Sequence, residues 1–441
     1  MLPNVQIYQE ILITTSQTNQ PYSSPAWFQL PEAHSRSNTV LIIGTGIAGC
    51  STAYSLAQRG WKVMLIDRND SIAQEGSGNR QGALYAKLPV QPIPASQIHL
   101  AGFLYSSNFL TRELPDDRNI WSPCGLLQIA ANDKEQQKQV DLVASGNYPR
   151  SLVQHLSQAE ASQVAGTSVT NSGLFFPDAG WVTPPLLCQW LNQHPNITLK
   201  LSQEVTQLEY DAVRKQWSAL SDQSIIGKAS VAVVASAADS ARFVQLNHLP
   251  LQKIRGQVSI AKTDDTTTKL NTVLCSEGYI SPAKEDRFCF GATFDLKDEG
   301  TDIRPDGHSH NIGKIADMAP DLAVSITQST PVDQFHGRVA FRCASPDKLP
   351  IVGPAPVFDA FCEDYAKLRN DRTIKIETPP QHYPGLYVNL AHGSKGLITG
   401  PISGEIIAAM LENETLPIAN ELIDKLNPAR FIIKNLIRRA I

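Results

Sequence analysis

The chain opens on a polar stretch rich in Ser, Thr, Gln and Pro, and its character changes abruptly at Thr39. Val40 to Ile43 is a short apolar run of strand length, Ile47 to Arg59 repeats its apolar positions at helical spacing and is closed by Gly60, and Lys62 to Ile66 is a second strand. A strand, helix and strand in so short a span make a parallel crossover. A Gly/Ser/Asn loop follows, Glu75 to Gly82, and a mixed region of helical and extended pieces runs to about Gly173. Strands are expected at Val231 to Ala235, across the alternating pattern between Arg255 and Phe294, and at Leu386 to Leu390. Helices are expected near His310 to Met318, Asp321 to Thr327 and Gly396 to Leu411. The pattern shows no internal repeat and no low-complexity tract.

With 441 residues the chain is long enough for two interleaved domains. Apolar content of 42% against charged content of 18% excludes wholesale disorder. The net charge of -4 gives no general basic field, so DNA is not an expected partner and any nucleic acid must be met by a local patch. Seven scattered cysteines, none in a C-x-x-C pair, read as reduced thiols of a cytoplasmic protein. No apolar run approaches the roughly 20 residues needed to span a bilayer, so no membrane association is expected. His308, His310 and His392 lack further ligands at metal-site spacing, and no metal is expected.

The chemistry begins where the first strand runs into Gly44-Thr-Gly46-Ile-Ala-Gly49, which opens the next helix, with Asp67 ending the following strand. This is the dinucleotide fingerprint in its required context. Gly44 allows the tight turn, Gly46 lets a pyrophosphate approach the backbone, Gly49 lets helix and strand pack closely, and Ile47 and Ala48 begin the helix whose free N–H groups face the anion. Asp67 is expected on the ribose hydroxyls, with Arg68 beside it. The fingerprint alone does not separate NAD from FAD. Its place near the start of a long chain, without a second copy further on, favours FAD.

Five blocks extend this reading: Glu75-Gly-Ser-Gly-Asn-Arg-Gln-Gly-Ala-Leu-Tyr85, Gly180-Trp-Val-Thr-Pro-Pro185, Arg255-Gly-Gln-Val-Ser259, Gly278-Tyr-Ile-Ser-Pro282 and Gly393-Ser-Lys-Gly-Leu397. With them the chain resembles the D-amino-acid/glycine oxidase superfamily from about Pro25 onward. More narrowly it resembles the FAD-dependent oxidoreductase half of the bifunctional enzymes that build 5-methylaminomethyl-2-thiouridine in tRNA. The resemblance implies an α/β fold: a Rossmann-like FAD-binding domain interleaved with an α+β antiparallel-sheet substrate domain, as in glycine oxidase. The FAD domain is expected at 38–95, 174–250 and 335–415, the substrate domain at 96–173 and 251–334, a leader at 1–37 and a basic helix at 416–441. The implied reaction removes the carboxymethyl group of carboxymethylaminomethyl-uridine at the tRNA wobble position, leaving aminomethyl-uridine and glyoxylate. The short leader resembles an interdomain linker and is too short for a methyl-donor fold, which implies a stand-alone or truncated form that oxidises without methylating and depends on a separate or fused methyltransferase.

The resemblance also distributes roles. Arg342, in the segment Arg342 to Gly353, is the expected carboxylate clamp, a guanidinium offering a rigid two-pronged donor; a surface or ion-paired arginine is the alternative. Tyr279 is expected to support the same carboxylate, or else is a buried tyrosine with an ordinary partner. Ser77, Asn79, Gln81, Gly82 and Ala83 are expected along the flavin ring or ribityl chain, or form a plain polar turn. Val205 and Ala235 complete the FAD contacts. Gly393, Ser394, Lys395, Gly396 and Leu397 open a helix aimed at the ring, unless this is a common glycine-rich helix start. Cys343 does not match the spacing of a flavin tether, so FAD is expected to be non-covalent. The basic tail, Arg430, Lys434, Arg438 and Arg439, is a candidate tRNA contact or a solvated terminal helix. Two rival functions remain: a small-molecule glycine or sarcosine oxidase, and a flavin-containing tRNA-binding module without turnover.

Overall fold

The computed structural model describes residues 22–31, 38–222, 224–263 and 269–441. They fall into two units between which the chain passes after Ser77, Leu187, Lys253 and Phe341.

One unit, here the cofactor unit, holds the described residues up to Ser77 with Cys188–Lys253 and Arg342–Ile441. Its sheet is built from β1 (Thr39–Ile43), β2 (Lys62–Ile66), β3 (Ile197–Lys200), β4 (Val231–Val234), β5 (Ile351–Pro356) and β6 (His382–Leu390). The order is β5-β6-β4-β1-β2-β3, parallel except for β5, with Val40 opposite both Val63 and Val231. β1 and β4 are apolar without alternation because both faces of a parallel sheet are covered. Helices α1 (Ile47–Gln58) and α2 (Gly396–Glu412) pack on each other. A meander of Gln207–Asp211, Gln216–Ser221 and Ser224–Ala229 lies against Leu41 and Met64, so closely that a Cβ on Gly227 would collide with Met64 Sδ. Helix α3 (Arg430–Ile437) buries Ile432, Ile433 and Leu436 against Phe361, Tyr365 and Leu368. The expected leader lies outside the described residues except for 22–31, where Trp27 and Phe28 join that cluster and the Trp27 ring meets Tyr365 at 5.9 Å.

The other unit, the sheet unit, comprises Gly78–Leu187 and Ile254–Phe341. Its large sheet runs Asp295–Leu296, Gln252–Lys262, Arg287–Gly291, Tyr279–Ile280, Val273–Cys275, Leu126–Ile129, Gly173–Phe176 and Gln154–Leu156, with His336–Ala344 pairing Gln252–Lys262. Along this order the strands pair antiparallel, as expected, except at one parallel join, Val273–Cys275 on Leu126–Ile129, which makes the sheet mixed. That join brings together segments far apart in the chain, where no tight hairpin can dictate an antiparallel return. Helices Pro305–Met318 and Pro320–Ser329 bury Ile315, Leu322 and Ile326 over it. Residues 78–95 and 174–187 cluster here rather than with the cofactor unit, because Gly82–Leu84 pairs with Gly180–Val182. Among the described residues no helix is long and apolar enough to cross a membrane.

Candidate active site

The turn after β1 is fixed by three glycines, two of which leave no room for a side chain. Gly44 has φ +108, and a Cβ there would lie 2.6 Å from the Ala235 carbonyl oxygen at the end of β4. A Cβ on Gly49 would collide with the Gly44 carbonyl oxygen, and one on Gly46 would come within 3.3 Å of Ser77 Oγ. The Ile47 N–H donates to Ser77 Oγ at 2.9 Å, while the next amides of α1 belong to a first turn without intrahelical acceptors. The result is a glycine turn bare of side chains at a positive helix end, the form a pyrophosphate requires.

Asp67 stands at the end of β2 as expected, but its carboxylate is already engaged. Oδ2 accepts from the Thr45 N–H at 2.8 Å and Thr45 Oγ1 at 2.7 Å; Oδ1 accepts from the Asn69 N–H at 2.9 Å and Asn69 Nδ2 at 3.0 Å. It braces the turn, and recognition of a ribose by the same oxygens requires one of these donors to yield. Arg68 forms ion pairs with Glu75 at 2.7 Å and Asp239 at 2.6 Å. Val205 and Ala235 are buried in the unit's core edge.

Helix α2 opens beside α1 and runs parallel to it. Cβ atoms on Gly396 and Gly400 would meet Ile47 Cγ2 at 3.3 Å, and one on Gly404 would lie 2.7 Å from backbone atoms of Ser51 and Thr52. The four-residue glycine repeat therefore presses the two helices together and sets their N-terminal ends side by side, one opening at Ile47 and the other at Gly396. Lys395 occupies the cap position of α2, with Leu397 just inside the helix and the exposed Ser394 just before it. The Gly393 N–H donates to the Cys343 carbonyl at 2.7 Å, with φ +56 at Gly393. Below them His392 bridges Thr399 Oγ1 at 2.8 Å and Asn389 Oδ1 at 3.0 Å, and Asn389 Nδ2 reaches Thr52 Oγ1 at 3.0 Å. Burial pulls the His392 pKa down to about 4, so the ring is neutral at physiological pH.

In the sheet unit, Asn79 accepts from Arg338 Nη1 at 3.2 Å, and Gln81 Nε2 donates to the Pro282 carbonyl at 2.9 Å. Gln81 is fully buried, and its Oε1 has no hydrogen-bond partner. An orphaned acceptor of this kind fits a bound group that brings its own N–H or O–H. Tyr279 Oη donates to the Gln81 carbonyl at 3.2 Å, so it holds the segment that continues into Gly82 and Ala83. Lys284, which the sequence did not single out, donates to the Asn119 carbonyl at 2.7 Å and Thr183 Oγ1 at 2.9 Å, 5.7 Å above the Trp181 ring, and burial lowers its pKa. It fastens the Gly180–Thr183 block.

Arg342 is partly buried near the end of the strand His336–Ala344. Strand periodicity places Arg338 on the same face, a second guanidinium that was legible as an i, i+4 pair once the segment was known to be extended. Burial pushes the neighbouring Cys343 thiol up to about 12, which keeps it protonated. In the tail, Arg430 is held by Asp347 at 2.9 Å and by the Leu349 carbonyl at 3.1 Å, whereas Lys434, Arg438 and Arg439 are exposed. Among the described residues no group of three or more His, Cys, Asp or Glu is placed to hold a metal.

A Rossmann-like unit with a glycine-bared phosphate cradle and two helix N-termini side by side, in a chain that also folds a mixed-sheet unit, defines an FAD-dependent oxidoreductase. The chain belongs to the FAD dependent oxidoreductase (DAO) family, whose pattern it matches over residues 39–410. It is 43% identical over 413 residues to the tRNA 5-methylaminomethyl-2-thiouridine biosynthesis bifunctional protein MnmC of Chromobacterium violaceum, covering 94% of this chain and 62% of that protein. To the protein of that name from Pseudomonas aeruginosa it is 39% identical over 433 residues, covering 98% and 65%. The chain thus spans less than two thirds of the length of these curated relatives. Its fold is that of glycine oxidase from Geobacillus kaustophilus (TM-score 0.68, 19% identity, 89% and 98% of the two chains) and iminodiacetate oxidase from Chelativorans sp. BNC1 (TM-score 0.68, 21%, 88% and 98%).

Proposed function

We propose that the chain oxidatively removes the carboxymethyl group from carboxymethylaminomethyl-(2-thio)uridine at the tRNA wobble position, giving aminomethyl-uridine and glyoxylate. The observation that carries this reading is identity of about 40% along nearly the whole chain with relatives named for biosynthesis of 5-methylaminomethyl-2-thiouridine in tRNA, to which aminomethyl-uridine is one methyl group short. Bound FAD supplies a two-electron acceptor for the hydride of the glycyl carbon. The nitrogen loses its proton, the substrate C–N bond becomes an imine, and water splits it into a primary amine and glyoxylate.

The chain's residues bind and orient. Gly44, Gly46 and Gly49 with the N-terminus of α1 hold the pyrophosphate, and the α2 end with Lys395 favours negative charge on the ring. Ser77, Asn79, Gln81, Gly82 and Ala83 line the cofactor, and the protonated Cys343 supports non-covalent attachment. Arg342 clamps the glycyl carboxylate in two-pronged fashion, and Tyr279 orders the Gln81–Ala83 segment. The primary amine left behind lacks the methyl group of the methylaminomethyl nucleoside for which the relatives are named, so a methyl transfer by a fused or separate enzyme must follow.

The test is anaerobic mixing of the FAD-loaded protein with tRNA carrying the carboxymethylaminomethyl group. Bleaching of the yellow flavin, with aminomethyl-uridine found by nucleoside mass spectrometry, is expected. Bleaching by free glycine or sarcosine but not by this tRNA would replace the reading with a small-molecule amine oxidase.

A further inference from the structure

Asn79, Arg80 and Gln81 belong to no helix or strand. What fastens such a segment is its side chains, and all three are used. Asn79 Oδ1 accepts from Arg338 Nη1 at 3.2 Å, Arg80 Nη2 donates to the Lys284 carbonyl at 3.0 Å and to Glu285 Oε2 at 2.5 Å, and Gln81 Nε2 donates to the Pro282 carbonyl at 2.9 Å. The Gln81 carbonyl in turn accepts from Tyr279 Oη. Tyr279, Pro282, Lys284 and Glu285 all lie on one hairpin of the sheet unit, Tyr279–Ile280 returning as Arg287–Gly291.

The end of that hairpin is built against local preference. The Lys284 N–H donates to the Arg287 carbonyl at 3.0 Å and the Arg287 N–H to the Lys284 carbonyl at 3.2 Å, which leaves Glu285 and Asp286 as the two central residues, at φ +51 and +55. A turn with both central residues in the left-handed region takes Asn-Gly or Gly-Gly when only the turn matters, because a Cβ is strained there. Glu285 instead carries a side chain that reaches Arg80. Lys284 fastens the same turn elsewhere, to the Asn119 carbonyl and Thr183 Oγ1. The Glu285 side chain is 69% exposed, so its ion pair adds little to the stability of the whole. Its effect is on the direction of the segment that Arg80 belongs to. At the end of that segment Gln81 is fully buried, its Nε2 is spent on Pro282, and its Oε1 has no partner. A buried acceptor is costly until a donor reaches it.

We infer that Arg80 is a positioning residue for the flavin: tied to the Lys284–Glu285 turn, it holds its segment so that Gln81 Oε1 accepts a hydrogen bond from an N–H of the bound ring. The inference rests on the proposed reading that Gln81 lines the cofactor. It adds two residues to that reading, Arg80 and Glu285, which act through Gln81.

The test frees the full chain of flavin and titrates it with FAD, in the parent and in Gln81→Met, Arg80→Met, Arg80→Lys and Glu285→Asn. It reads FAD affinity, the fine structure of the visible flavin bands and the melting temperature of the flavin-free chain. Gln81→Met and Arg80→Met are expected to weaken FAD binding about tenfold and to change the bands in the same way. Arg80→Lys keeps a charge opposite Glu285 without the planar fork, and falls between Arg80→Met and the parent. Glu285→Asn removes the acid while placing in the turn a residue that favours the left-handed region. It is expected to weaken FAD binding about threefold, with a flavin-free melting temperature no lower than the parent's. Weaker binding that follows a lower flavin-free melting temperature in every variant would make Arg80 a general structural residue and overturn the inference. A change in Gln81→Met with none in Arg80→Met, Arg80→Lys or Glu285→Asn would also overturn it, and leave Gln81 at the cofactor. Unchanged affinity and bands in Gln81→Met would overturn the placement of Gln81 itself. If Arg80→Met does not fold, Arg80→Lys and Glu285→Asn make the same decision.

Discussion

At the scale of single residues, the turn at 44–49 makes the sharpest demands. Gly44 combines a positive φ with a Cβ position 2.6 Å from the carbonyl oxygen of Ala235, which directly follows β4 and is tied to β1 through its own N–H. Gly44→Ala is therefore expected to destabilise the chain by roughly 2–4 kcal/mol and to empty it of flavin; absorbance of the purified protein and its melting temperature check this. Arg342→Lys keeps a charge but loses the planar fork. It is expected to raise the KM for the glycyl substrate about 10- to 100-fold while flavin content stays unchanged. An unaltered KM would remove Arg342 from the site. The glycines were legible because a fingerprint is a backbone requirement written directly into residue types. The two-fold saturation of Asp67 was not, since its donors Thr45 and Asn69 are ordinary polar residues whose meaning exists only once the turn is folded. Lys284 escaped for the same reason, since its partners Asn119 and Thr183 are distant in the chain.

At the scale of elements, periodicity served best where one face or both are buried. Ile47–Gln58 and Gly396–Glu412 form close to their expected limits, and Pro305–Met318 and Pro320–Ser329 begin at prolines, which suit the first helical position, earlier than apolar spacing indicated. The twenty-residue helix Pro94–Glu113 was lost in a mixed region because polar Gln97, Ser106 and Ser107 interrupt its apolar face. The contact between α1 and α2 yields a directional prediction. Gly404→Val places atoms 2.7 Å from helix backbone and is expected to destabilise by about 3 kcal/mol. Gly313→Ala, in a helix and with nothing within 4 Å of the new methyl group, is expected to stabilise by roughly 0.5–1 kcal/mol. Parallel thermal melts of both variants test whether the repeat is a packing requirement rather than a generic tolerance of glycine.

At the scale of the whole molecule, His248, His382 and His392 share one electrostatic state, each with a pKa drawn down to about 4 by burial. The unfolded chain binds these protons near pH 6.5, so between 6.5 and 4 it holds more protons than the folded one. Stability is complete above that window and is lost as pH falls through it, at up to about 1.4 kcal/mol per pH unit for each ring. His248 lies against Phe358 at 5.1 Å and His382 near Phe361 at 6.0 Å, so leucine fits both places. The double replacement by leucine is expected to flatten most of the loss seen in melts between pH 7 and pH 5; an unchanged slope would mean that these rings titrate normally. The pairing of α1 with α2 also bears on how the protein is made. Ile47 and Gly396 reach their shared position only once the residues between them have left the ribosome, so a nascent polypeptide that stops short of Gly396 carries half a cradle. Capture of the vitamin-derived cofactor then waits on the second helix, and a chain broken off before it exposes the small-residue face of its first helix to the cell's proteases.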